Sequence, residues 1–133
     1  MHRLFLDANV LSSAAYRPDA GLLKLWKLRN VALCSSRYAL EEARINLDGG
    51  WQRDRLVALS AELELFDVPW GHLPAGISLP EKDIPILLAA IEAAATHLIT
   101  GDLRHFGPCF GKKVAGILVL TPGDYLRRFW RWK

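Results

Sequence analysis

The sequence predicts an α/β fold in which a mostly parallel, five-stranded sheet is covered by helices on both faces. Three observations carry this. Strand-like and helix-like segments alternate along the whole chain. The strand candidates are continuous apolar runs rather than alternating ones, the pattern of strands buried on both sides. The length, 133 residues of which 51% are hydrophobic, suits one domain with one core.

The first strand is read at Arg3–Leu6, an apolar run without Gly or Pro, and a helix over Ala8–Tyr16 follows it. Arg17-Pro18-Asp19 breaks the pattern, and a second helix is expected over Ala20–Arg29, with Leu22, Leu25 and Trp26 on one face. Val31–Cys34 is the second strand. Ser36 is placed to cap a helix over Arg37–Leu47, which Asp48-Gly49-Gly50 stops. A helix over Trp51–Leu63 and a strand over Leu65–Val68 come next, and Pro69 suggests a sheet edge. Residues 71–80, with two Gly and two Pro, read as a connecting loop. The clearest helix is Asp83–Ala95, with an apolar stripe of Ile84, Leu87, Leu88, Ile91 and Ala95, and Pro85 harmless in its first turn. His97–Thr100 and Ile117–Leu120 are the last two strands, and Thr121-Pro122-Gly123-Asp124 opens a final helix over Tyr125–Trp132. The whole chain, residues 1–133, reads as a single domain without repeat or linker.

Composition excludes several classes. No apolar run approaches the roughly 18 residues a membrane span needs, and the start lacks the layout of a secretory signal. Cys34 and Cys109 form no metal-binding or redox motif and read as small apolar side chains in a reducing cytoplasm. The formal net charge of +3 is compatible with a nucleic-acid partner without requiring one.

Chemistry is suggested by where the acids fall. Asp7 and Asp102 both end strands, at the carboxyl edge where open α/β sheets bind ligands. Asp7 could equally be the N-cap of the helix after it. Glu41 and Glu42 lie early on a helix that leaves the same edge, whereas Asp83 begins a helix and need not lie there. Carboxylates gathered in one pocket would take up protons unless a cation compensates them. Oxygen ligands suit Mg²⁺ or Mn²⁺, and the absence of a Cys/His set disfavours Zn²⁺.

In this order, Asp7-Ala8-Asn9, then Ser36-Arg37-Tyr38-Ala39-Leu40-Glu41-Glu42, Lys82-Asp83, Thr100-Gly101-Asp102 and Val119-Leu120-Thr121-Pro122-Gly123-Asp124-Tyr125-Leu126, the chain resembles the PIN-domain nucleases, which include the VapC-type toxins of toxin–antitoxin pairs. The resemblance runs over nearly the whole chain. It implies a three-layer α/β/α fold and a Mg²⁺-dependent endoribonuclease, with Mn²⁺ as a substitute. It assigns Asp7, Glu42, Asp83 and Asp102 to catalysis and metal binding, brings Asp83 to the pocket, and gives Asn9 and Thr100 polar orienting roles. Between the two glutamates, which point about 100° apart, Glu42 is preferred. It shares a face with Asn46, and the family's spacing to Leu47 also favours it. RNA is the expected substrate, a cognate antitoxin protein an expected partner, and a homodimer the expected assembly. Whether the chain is such a toxin or a free-standing RNA-processing enzyme is left open.

Arg104, His105, Arg128 and Arg131 are candidate RNA contacts, although a surface or loop-packing role is the simpler reading for Arg104 and His105. The ending Arg127-Arg128-Phe129-Trp130-Arg131-Trp132-Lys133 mixes basic and aromatic side chains in a way that suits RNA, a dimer surface or an antitoxin surface. A phosphotransferase of the haloacid-dehalogenase type also starts with an acid after strand one. It needs a second acid two residues later, and Asn9 stands there. The main alternative is a catalytically silent RNA-binding or protein-interaction module on the same fold.

Overall fold

The computed structural model describes residues 1–130. Its strands are β1 His2–Leu6, β2 Val31–Ser36, β3 Glu64–Phe66, β4 His97–Ile99, β5 Lys113–Val114 and β6 Ile117–Leu120. They form one sheet in the order β3-β2-β1-β4-β6-β5. All pairings are parallel except that of β5 with β6. The helices are α1 Ala8–Ala15, α2 Arg37–Ile45, α3 Gly50–Ser60, α4 Ile84–Glu92, α5 Leu103–Phe106 and α6 Pro122–Phe129.

The apolar strands are central and covered on both sides. Leu4, Phe5 and Leu6 of β1 and His97, Leu98 and Ile99 of β4 are all buried, although successive side chains point to opposite faces. Fully burying each large apolar side chain contributes about 1.5–3 kcal/mol, so the two middle strands anchor a three-layer α/β/α core. The helix starts are set locally. Ser36 Oγ accepts from Ala39 N–H at 3.0 Å and Thr121 Oγ1 from Asp124 N–H at 3.0 Å, each ordering a first turn. As Pro69 suggests, β3 lies at a sheet edge.

The sheet has six strands where the sequence predicts five. The extra one, β5, has two residues, too few to show a period, and pairs antiparallel with β6. Its turn is Ala115-Gly116, both at positive φ (53° and 80°), the mirror-image turn that matches strand twist. The short helix α5 is likewise absent from the sequence reading, and Gly107-Pro108 ends it after four residues. The expected second helix is a 3-10 segment, Gly21–Lys27. Leu22, Leu25 and Leu28 recur every three residues, which a 3-10 helix lines up on one side. The last helix runs three residues earlier than expected, beginning at Pro122, where proline's fixed φ suits a first turn. Arg131 and Trp132 lie outside the described residues.

Chain order also fixes where a ligand can sit. From β1 the chain adds β2 and β3 on one side, then crosses to add β4 and β6 on the other. The direction reverses between β1 and β4, and the carboxyl ends of these two strands border the crevice that such a reversal opens.

Candidate active site

Both strands at this crevice lead into acids. Asp7 follows β1 directly, and its N–H donates to Ile99 O at 3.0 Å, which ties it to the end of β4. Thr100 follows β4 and donates its hydroxyl to Asp7 Oδ2 at 2.7 Å. The other oxygen, Oδ1, accepts from Ala8 N–H at 2.7 Å. The two readings of Asp7 are therefore both present: it caps α1 and it lines the crevice. Asn9 braces the same corner. Its amide N–H₂ donates to Asp7 Oδ2 (3.3 Å) and Thr100 Oγ1 (3.4 Å), and its Oδ1 accepts from Gly101 N–H at 2.8 Å. Thr100 Oγ1 in turn accepts from Asp102 N–H at 3.1 Å, so β1 and β4 are locked into one polar corner.

A cleft of about 150 Å³ is lined by Asp7, Ala8, Asn9, Glu42, Asn46, Lys82, Asp83 and Asp102. Glu42 reaches it from α2. Glu41 turns away and pairs on the surface with Arg44 at 2.6 Å, as their separation around the helix requires. Asp83 arrives at the end of a 3-10 turn, Glu81–Asp83, immediately before α4. Its side chain makes no cap hydrogen bond to that helix and lines the cleft instead. Asp102 caps α5 through Oδ1, which accepts from His105 N–H at 3.1 Å. Larger hollows exist, one of about 340 Å³ lined by Met1, His2, Tyr125 and Phe129 among others, but it holds no carboxylate.

Electrostatically the cleft is a strained place for charge. Burial raises the proton affinity of Asp7 above the usual carboxylate range; the Thr100 and Ala8 hydrogen bonds oppose this, and Asp83 and Asp102 reinforce it. Glu42 is raised by burial and then by Asp7, with Lys82 acting the other way. Asp83 is raised by burial and Asp102 and lowered by His105 and Lys82. Asp83 Oδ2 is buried and has no directed hydrogen bond. Ligand atoms of Asp83, Asp102 and His105 lie within 4.8 Å of one another, the group among the described residues able to share an ion. Asp7 and Glu42 face the same cleft from outside this tighter group. An orphaned buried oxygen among carboxylates that resist ionisation fits a hard divalent cation.

No protein-family profile matches the chain, and no curated protein sequence does. Solved structures do. A chain of VapBC2 from Rickettsia felis, bound to a DNA fragment from their promoter, superposes with a TM-score of 0.64 at 16% identity, covering 90% of this chain and 98% of that one. VapBC-1 from nontypeable Haemophilus influenzae gives 0.56 at 15% identity, over 91% and 98%. FitAcB from Neisseria gonorrhoeae gives 0.52 at 20% identity, over 90% and 98%. The chain carries the fold of these proteins. That is the fold implied by its resemblance to VapC-type PIN domains.

Of the residues singled out in the sequence, Asp7, Asn9, Glu42, Asp83 and Asp102 line one cleft, and Thr100 is buried directly beneath it. Arg104 is exposed on α5. Arg128 is exposed and near enough to His97 to disfavour its protonation, which sets it beside the start of β4 rather than the end. Arg131 lies outside the described residues. Lys82 and Asn46 line the cleft without having been given a role there, although Asn46 was visible four residues after Glu42. The largest departure is His105, whose Nδ1 lies 2.7 Å from Asp83 Oδ2 and 2.8 Å from Asp102 Oδ2.

Proposed function

We propose that this chain is a divalent-metal-dependent endoribonuclease of the PIN-domain type, acting as the toxin of a toxin–antitoxin pair. The observation that carries the reading is the convergence of Asp7, Glu42, Asp83 and Asp102 on one cleft at the sheet's switch point. The fold shared with VapBC and FitAcB chains supports it.

Asp83 and Asp102, with Asp7 and Glu42 across the cleft, are the residues that would hold Mg²⁺ or Mn²⁺. Such an ion neutralises phosphate charge and lowers the pKa of water at the site. The chain's own groups supply the remainder. The hydrogen bonds of Thr100, Asn9 and Ala8 hold Asp7 in one orientation. Lys82, exposed at the cleft, attracts the RNA phosphate. Glu42, made more basic by burial and by Asp7, accepts through an oxygen not bound to the ion the proton of the water that attacks phosphorus in line, while the opposite P–O bond breaks and the departing ribose oxygen takes a proton from solvent.

An antitoxin partner is supported from another side. Ile45 on α2 and Trp51 and Val57 on α3 are 63%, 80% and 69% exposed, an apolar display that suits a protein partner.

The test is cleavage of a mixed pool of structured RNAs with Mg²⁺, Mn²⁺ or EDTA, by the wild type and by Asp7→Asn. Metal-dependent cleavage that falls at least about a hundredfold in the variant is the expected result. RNA binding without cleavage and without metal binding would instead favour the catalytically silent module.

A further inference from the structure

We infer that His105 is a metal ligand through Nδ1, which makes the site a mixed oxygen–nitrogen centre that prefers Mn²⁺, or a similar transition-metal cation, to Mg²⁺. The inference rests on the metal-site reading above and adds the donor that sets ion choice.

The geometry is specific. Nδ1 lies 2.7 Å from Asp83 Oδ2 and 2.8 Å from Asp102 Oδ2. One imidazole nitrogen carries at most one proton, which two carboxylates would have to share. Neither approach meets hydrogen-bond directions. Asp83 Oδ2 and His105 Nδ1 are both buried without a hydrogen-bond partner, and the Asp83 side chain is only 8% exposed. Three ligand atoms crowd one point with no directed hydrogen bond between Nδ1 and either carboxylate. Donors bound side by side to one ion at about 2.1 Å lie about 3 Å apart, close to the spacing seen here. A shared cation removes the conflict.

The position of His105 is also built rather than accidental. Its backbone N–H donates to Asp102 Oδ1, which fixes the first turn of α5 and leaves Oδ2 facing the ring. Phe106, the next residue, is buried in the core and anchors the segment. The ring is thereby held against Asp83 and Asp102, two of the acids that line the cleft. Imidazole suits transition metals, whereas Mg²⁺ takes oxygen donors and gives up water reluctantly.

The experiment uses the full chain and Mn²⁺ as the probe. Binding is followed by electron paramagnetic resonance, and nitrogen coordination by electron spin echo modulation in protein labelled with ¹⁵N-histidine. The wild type is expected to bind Mn²⁺ with a directly coordinated histidine nitrogen. His105→Ala should lose that coupling and at least about tenfold in Mn²⁺ affinity. His105→Asp should bind without the coupling and shift the Mn²⁺/Mg²⁺ affinity ratio at least about fivefold toward Mg²⁺. Mn²⁺ bound to the wild type and lost in Asp83→Asn, but with no nitrogen coupling, would overturn the assignment of His105 and leave the carboxylate site standing. Absence of Mn²⁺ binding would overturn both. The wild-type spectrum decides the question even where a variant fails to fold.

Discussion

At Asp83 the cleft carries a carboxylate whose charge is opposed by its surroundings. Its carboxyl group is held above the ordinary range, first by burial and then by Asp102, despite His105 and Lys82. The folded state therefore binds its proton more tightly than the unfolded state. Ionising it on raising the pH through the carboxylate range lowers folding stability. In metal-free buffer Asp83→Asn should be more stable than the wild type near pH 7. The gap should narrow toward pH 4, where the wild-type group also carries a proton. Thermal unfolding of both proteins at several pH values measures this directly. An Asn variant less stable than the wild type at neutral pH would mean that Asp83 holds structure together rather than awaiting a cation. Asp7 is the counterpoint. Burial opposes its charge, but hydrogen bonds from Thr100 and Ala8 offset part of that cost, so one side chain serves both the helix start and the cleft.

Among the elements, β4 and α6 meet away from the cleft in a cluster of rings. His97 packs against His2 with centroids 4.4 Å apart and lies edge-on to Tyr125 at 5.3 Å and Phe129 at 5.8 Å. Burial, with the nearby positive groups of His2, Arg128 and Lys113, pushes the His97 pKa down to about 4. The unfolded chain binds this proton near pH 6.5 and the folded chain does not, so stability falls as pH drops from about 6.5 toward 4, by of order 2 kcal/mol. His97→Gln should flatten this acid limb in urea unfolding curves, and an unchanged limb would place the proton elsewhere. The elements also mark how far the sequence could be read. Long apolar strands and capped helices were legible because their period or end signals span several residues, as at Ser36 or in β1. The two-residue β5 and four-residue α5 offer no period. Missing α5 had a direct cost at the site. Without that turn, His105 reads as a surface or loop-packing side chain three residues beyond a strand-end acid, whereas one turn of helix sets it beside Asp102. Asp7 and Asp102 were legible as strand ends, while Asp83 needed the family resemblance because a helix start carries no address of its own.

For the whole molecule, cation binding and folding should be linked. An ion held by residues just after β1 and β4, on α2 and just before α4 binds the folded chain alone, since these segments meet in no other state. Mn²⁺ at about one hundred times its dissociation constant should stabilise the wild type by about 2.7 kcal/mol, raising Tm with concentration. Asp83→Asn should show little or none of this shift, and equal shifts in both proteins would indicate binding outside the cleft. The sheet order adds a temporal consequence. The central strand β1 leaves the ribosome well before its partner β4, and Asp7 and the Thr100 that orients it are 93 residues apart. A chain whose translation stops before β4 carries Asp7, Glu42 and Asp83 but neither Thr100 nor Asp102. Unfinished copies therefore lack the group that orients Asp7 and one acid of the cleft, and the polar corner forms only once β4 has been made.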